Sequence, residues 1–255
     1  MTFIDTHCHL YLDEFAQDIE ETVQRAENEG VKKFFLPSID QETFSSVLQL
    51  EERFPGKCHA MAGLHPCSVK GSFRQELDFV KDQLAMRRFA AVGEIGLDFY
   101  WDRTFEKEQY EAFRVQLDWA LDHDLPVVIH SRQSMAETIF TVKEKQHGKL
   151  KGIFHCFNDT LQFATEIIDL GFYLGIGGVL TYKNSKLPDV LQQIDLSHMV
   201  LETDAPYLTP VPFRGKRNES SYLKFVAARL AEVKSTGVEE VARITTMNAG
   251  KIFGF

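Results

Sequence analysis

Eight short runs rich in β-branched and aromatic residues recur along the chain, and stretches of helical periodicity separate most of them. The runs are "TFID", "VKKFFLPS", "CHAMAGLH", "FAAVGEIG", "LPVVIHS", "LKGIFHC", "GFYLGIGG" and "HMVLETD". Helical spacing covers residues 12–29, 41–53, 104–123, 132–146, 159–170, 185–195, 219–235 and 238–249. No helix is predicted between the third and fourth runs. This alternation over 255 residues predicts an α/β protein: a single (β/α)8 TIM barrel with a closing C-terminal helix, one domain spanning 1–255. A doubly wound open sheet would usually carry a glycine-rich phosphate loop after its first strand. Here that strand is followed by "THCHLYLDE", which has no glycine, and the later "GIGGVL" reads as a tight turn at a strand end.

In a barrel the C-terminal ends of all strands open on one face, where catalytic groups collect. His7 and His9 close the first predicted strand, His65 the third, Glu94 the fourth, His130 the fifth and His155 the sixth. Glu202 and Asp204 close the eighth. The other four of nine histidines, His59, His123, His147 and His198, fall at strand starts or helix ends and read as structural or surface residues.

His7 and His9 stand at alternate positions, so they point the same way only on an extended backbone. Neutral imidazole is the commonest side-chain metal ligand. Asp204 and Glu94 leave apolar strands, where an unpaired carboxylate is costly. Six such groups exceed the needs of one small site. One divalent cation is expected on His7, His9 and Asp204, and a second on His130 and His155, with Glu94 bridging them, as in two-metal hydrolytic sites. Glu94 and Asp204 are then the catalytic carboxylates, Asp204 orienting the attacking water or accepting its proton. Mixed imidazole and carboxylate donors admit Zn, Mn, Co or Ni, and Mg less readily. Asp5 lies one step deeper on the same strand face and is read as a support for a ligand. Cys8 points the other way and is read as packing.

A formal net charge of −9 argues against broad electrostatic binding of nucleic acid. Two divalent ions would nevertheless make the mouth locally positive. Arg132 follows His130 by two residues, and "FRGKRNE" adds Arg214, Lys216 and Arg217 after the last strand; a guanidinium can hold a phosphate by two hydrogen bonds. Arg132 and Arg217 are the expected substrate contacts, although the second run reads equally well as a solvated loop. No apolar run has membrane-spanning length, and the start lacks signal-peptide character. None of the four cysteines forms a CxxC pair. A cytoplasmic protein with reduced thiols, no membrane contact and no stable protein partner is the expectation.

Together, "DTHCHL", "GLHP", "GEIGLDFYWD", "VIHSR", "HCF", "LETDAPYLTP", "FRGKRNE" and the closing "NAGKIF" resemble the TatD family of metal-dependent deoxyribonucleases, within the amidohydrolase-like barrel group. The resemblance runs in order along nearly the whole chain. It implies a two-metal site hydrolysing DNA phosphodiesters, often as a 3′-to-5′ exonuclease, with metal ligands at His7, His9, Glu94, His130, His155 and Asp204. It also implies a substrate-phosphate contact at His65, and at Glu202 a carboxylate that orients a ligand histidine. Two departures lie beside the substrate: Asn158-Asp159 follows "HCF" where Ser-Gly is common, and Ser220-Ser221 follows "KRNE" where Pro is common. They leave open a hydrolase of the same barrel acting on another ester: an aminoacyl-tRNA deacylase, a small-molecule phosphodiesterase or an amidohydrolase.

Overall fold

The computed structural model describes all 255 residues. Eight strands follow one another in parallel: β1 (Phe3–Asp5), β2 (Val31–Leu36), β3 (Cys58–Ala60), β4 (Val92–Asp98), β5 (Val127–Arg132), β6 (Gly152–Phe154), β7 (Phe172–Ile176) and β8 (Met199–Leu201). Nine helices connect and follow them: α1 (Ile19–Asn28), α2 (Gln41–Arg53), α3 (Phe73–Met86), α4 (Glu106–Asp122), α5 (Met135–Lys145), α6 (Leu161–Asp169), α7 (Leu187–Leu191), α8 (Leu223–Val233) and α9 (Val238–Phe253). No helix is long and apolar enough to cross a membrane.

The strands form two ladders, β1-β2-β3 and β4-β5-β6-β7-β8. Backbone hydrogen bonds join them at both seams. On one side, Ala62 pairs with Val92 and the Gly93 N–H donates to the Ala62 carbonyl at 3.0 Å. On the other, the Thr6 N–H donates to Leu201 at 3.1 Å, the Asp204 N–H to His7 at 2.9 Å and the His9 N–H to Ala205 at 2.7 Å. These bonds meet the demand that buried peptide groups be paired where regular strand geometry has ended. The expected α/β barrel architecture is what the chain adopts.

Two apolar layers hold it. The larger lies between strands and helices. The smaller fills the interior with Ile4, Phe35, Met61, Ala91, Val128, Ile153 and Val200, and α9 closes it with Ala249 and Ile252. Phe253 stacks on Phe35 with ring centroids 3.7 Å apart, which makes α9 the plug expected of the last helix. Gly254 ends that helix in the left-handed conformation at φ 76°.

Helix α3 is a correction: none was expected between the third and fourth strands. Phe73, Leu77, Val80 and Leu84 are buried at helical spacing, which is the signal that marks it. Ser72 stands at its N-cap without a side-chain cap, as at the start of α1, α4 and α5. Helix α2, by contrast, opens with a full capping box between Asp40 and Thr43.

Candidate metal centre

β4 supplies the hub. Its pairing with β5 slips between Gly93 and Ile95, a local irregularity of the kind that re-aims a side chain beside active sites. Gly96, at φ 144°, allows the two backbones to meet there: a Cβ would lie 2.0 Å from the His130 carbonyl oxygen. Glu94 thus projects, almost fully buried, among five histidines.

The two oxygens of Glu94 face different neighbours. Oε2 lies 3.1 Å from His7 Nε2 and 3.6 Å from His9 Nε2. Oε1 lies 2.8 Å from His130 Nδ1, 2.9 Å from His155 Nε2 and 3.3 Å from His65 Nε2. Asp204 completes the first group, its Oδ1 3.7 Å from His7 Nε2 and 3.5 Å from His9 Nε2. Asp204 holds a left-handed backbone at φ 56°, which aspartate tolerates better than most residues. Although β1 ends at Asp5, His7 and His9 do share a face, their Nε2 atoms 3.2 Å apart.

The structure therefore brings together all six residues expected as ligands. It adds His65 to them. His65, expected to contact a substrate phosphate, lies with Glu94 and His130 in a group whose ligand atoms converge. Its own Nδ1 accepts from the Cys67 N–H at 3.0 Å, leaving Nε2 for the centre.

Burial alone would raise the Glu94 carboxyl, but the imidazoles of His155, His7 and His65 outweigh it and hold it well below the carboxylate range. Burial likewise opposes ionisation of Asp204, and His9, His155 and His7 together bring it below its ordinary value. At neutral pH both are anions. Burial lowers His7, helped by the neighbouring His155 ring stacked 3.9 Å away.

The outer contacts fix which nitrogens face inward. Tyr11 donates its hydroxyl to the Pro37 carbonyl at 2.7 Å, so it accepts from His9 Nδ1 at 2.9 Å. The His9 Nε2 lone pair then points at Asp204 and Glu94. Asp98 Oδ2 accepts from His130 Nε2 at 2.9 Å, so a neutral His130 aims a lone pair from Nδ1 at Glu94 Oε1, 2.8 Å away. Lone pairs facing carboxylate oxygens at such distances repel unless a proton or a cation lies between them. The donor set fits divalent cations, by chemistry and by convergence.

Neither Asp98 nor Tyr11 was among the expected site residues. Asp98 could have been found: it shares the strand face of Glu94, four residues on. Tyr11 follows His9 by two, an equally short step.

Glu202 occupies the position expected of it, its Oε1 3.5 Å from His155 Nδ1 and accepting from the Cys156 N–H. Gly175 makes the room: a Cβ there would lie 2.3 Å from Glu202 Oε2. Asp5 Oδ1 accepts from the backbone N–H of His7 at 3.4 Å, and the carboxylate also holds Thr203 and Ser220. It accepts from the Thr203 N–H at 3.0 Å, from the Thr203 hydroxyl at 2.6 Å and from the Ser220 hydroxyl at 2.6 Å, and burial pushes its carboxyl up to about 6.

The two arginines part company. Arg132 is exposed on β5, its guanidinium 3.9 Å above the Tyr100 ring and 5.2 Å from Trp101, with no carboxylate paired to it. Arg217 is paired within the chain. Its two terminal nitrogens donate to the two oxygens of Asp18, each at 2.7 Å, so they are not free for a phosphate. Its neighbour Asn218 donates to the carbonyls of Thr203 and Tyr207 at 2.8 and 2.7 Å, bracing the loop that carries Asp204. "KRNESS" is thus a strut, and Ser220 is part of it.

Comparison with known proteins agrees with this geometry. The family described as "TatD related DNase" matches residues 4–254. The "uncharacterized metal-dependent hydrolase" YabD of Bacillus subtilis is 38% identical over 250 residues, covering 98% of each chain. YjjV of Escherichia coli, described in the same words, is 35% identical over 98% of this chain and 97% of its own. The crystal structure of YjjV, a TatD homologue, superposes with a TM-score of 0.94 at 34% identity, covering 99% of this chain and 98% of that one. The chain belongs to the TatD-related DNase family and is a metal-dependent hydrolase.

Proposed function

We propose that the chain, acting as one domain, hydrolyses DNA phosphodiester bonds from single-stranded 3′ ends, using two divalent cations in the cytoplasm. The observation that carries this reading is the division of Glu94, one oxygen toward His7 and His9, the other toward His130, His155 and His65. A carboxylate so placed suits two cations a bridging distance apart. When bound, divalent cations at this donor set supply Lewis-acid stabilisation and an acidified water.

The residues of the chain do the rest. Asp204, ionised and only part-buried at the edge of the cluster, orients the attacking water and takes its proton. Asp98 and Tyr11 hold His130 and His9 in the tautomers that keep their lone pairs inward. Glu202 steadies the His155–Cys156 turn. Arg132 pairs with a phosphate beside the scissile bond, since no carboxylate of the chain occupies it. The reaction adds water across the P–O bond, leaving a phosphate on one fragment and a hydroxyl on the other.

The test is degradation of a 5′-labelled single-stranded oligonucleotide by protein of measured metal content. A one-nucleotide ladder that disappears when the 3′ end is blocked is expected. Hydrolysis unaffected by excess chelator would overturn the reading. A net charge of −9, with Arg132 and Arg214 the unpaired guanidiniums beside aromatic rings at this end, favours a second reading, a smaller phosphoester or aminoacyl ester. Faster turnover of bis-p-nitrophenyl phosphate or aminoacyl-tRNA than of the oligonucleotide would select it.

A further inference from the structure

Directly after β4 the chain exposes two large aromatic rings side by side: Tyr100 is 47% exposed and Trp101 67%. Their rings meet edge to face at 4.9 Å. Exposed rings of this size are unusual on a surface with nothing to bind, because each leaves a large apolar area in water. The Arg132 guanidinium covers one face of Tyr100 at 3.9 Å and reaches Trp101 at 5.2 Å. It makes no hydrogen bond or ion pair through its side chain, so its charge is held in place by the rings and remains available.

This group is tied to the metal centre through one side chain. Asp98 Oδ1 accepts from the backbone N–H of Tyr100 at 2.9 Å and of Trp101 at 3.1 Å, while Asp98 Oδ2 accepts from His130 Nε2 at 2.9 Å. Arg132 itself stands two residues beyond His130 on the same strand, and its carbonyl accepts from the Phe99 N–H at 2.9 Å. The turn that presents the rings is therefore registered against the ligand histidine by a single carboxylate.

We propose that Tyr100, Trp101 and Arg132 form a stacking platform for a nucleobase of a single-stranded nucleic acid, next to the phosphate held at the metal centre. The proposal rests on the nucleic-acid reading of that centre and adds to it how the strand is held. The open rings offer a face to any base, and the guanidinium lies where it can pair with the phosphate joined to that base. Every base has a π-face, so the platform selects for a base without selecting its identity. A stacked base also requires an unpaired strand, which gives a duplex no purchase here. On an acidic protein, an unpaired guanidinium held over the Tyr100 ring supplies attraction beside the metal centre.

The test is a binding titration of the metal-loaded protein with dye-labelled phosphorothioate-linked octathymidylate and with the same backbone lacking bases, read by the anisotropy of the dye and, in the wild type, also by tryptophan fluorescence. The base-bearing oligomer is expected to quench Trp101 and to bind about tenfold tighter than the abasic one. Trp101→Ala is expected to remove that preference, and Trp101→Phe, which keeps a ring, to retain most of it; thermal melting confirms that both fold. Equal binding of the two oligomers by the wild-type protein overturns the platform, as does a preference that survives in Trp101→Ala. Base-dependent binding without any cleavage of ordinary DNA would instead sink the nuclease reading and leave the platform standing. Cleavage without base dependence would do the reverse.

Discussion

Two clusters of charged side chains lie at the same end of the barrel, and their sums differ. Around Glu94, carboxylates meet five imidazoles, and no arginine or lysine takes part. Around Asp18, two carboxylates meet two guanidiniums. Arg25 grips Glu219 through Nε at 3.0 Å and Nη2 at 2.7 Å and reaches Asp18 at 3.1 Å, while Arg217 takes both oxygens of Asp18. The second cluster is electrically complete and ties α1 to the segment after β8. The first closes only when protons on its imidazoles, or cations in their place, lie between the rings and the carboxylates. A cluster of titratable groups reads as a site when its charges fail to close, and as a brace when they do.

Four experiments bear on that contrast. The largest effect should come from Glu94→Gln, which removes one of the two anionic oxygens from the hub. The kcat/KM for a single-stranded oligonucleotide should fall by roughly a thousandfold, with loss of bound metal, because several kcal/mol of transition-state stabilisation go with the cations. A metal-loaded, active Glu94→Gln protein would break the contrast at once. Chelation comes next. Stripping a cation held at about a hundred times its dissociation constant removes about 2.7 kcal/mol, so Tm should drop by roughly 5–10 °C. An unchanged melting curve would mean the Glu94 cluster closes its charges without help.

Asp98→Asn should lower metal affinity or activity by about ten- to a hundredfold, the usual cost of losing a carboxylate behind a ligand histidine. Metal titration followed by an activity assay reads this, and wild-type behaviour would show that the His130 tautomer is fixed by something else. The smallest effects belong to the brace. Arg217→Ala should cost about 1 kcal/mol, roughly 2–4 °C in Tm, with little change in KM for the oligonucleotide. A large rise in KM at constant Tm would return Arg217 to the substrate. The brace also has a pH signature. The Arg217 hydrogen bonds hold Asp18 below its ordinary value of 3.8, so its contribution is present above that pH and lost as acid protonates it. The Tm gap between wild type and Asp18→Asn should be full at neutral pH and close below about pH 4.

The convergence of the six candidate ligands was legible in sequence because alternation in an extended chain is a local property, and barrel topology carries each strand end to one mouth. His7 and His9 needed only their spacing, and Glu94 only its glycines. Arg217 was not legible because its partner Asp18 lies 199 residues away, and residue type alone cannot distinguish a paired guanidinium from a free one. A strand end gives the position of His65 along the mouth but not its depth within it, which is where the contact with Glu94 arises. Asp98 lies four residues beyond Glu94, within reach of the sequence, but its partner His130 is set by the pairing of β4 with β5. Helix α3 was within reach of the sequence, since Phe73, Leu77, Val80 and Leu84 form an intact apolar stripe.

Gly175 carries no functional group and touches no substrate, yet the space for Glu202 exists only because nothing projects from it. In a saturation library, position 175 would read as though it were catalytic. Alanine, the mildest change elsewhere, would push against a carboxylate oxygen that has no hydrogen-bond partner of its own and is walled in on every side. For this barrel, a map of mutational intolerance is therefore wider than the map of its chemistry, and the difference marks where the protein has spent its freedom to vary.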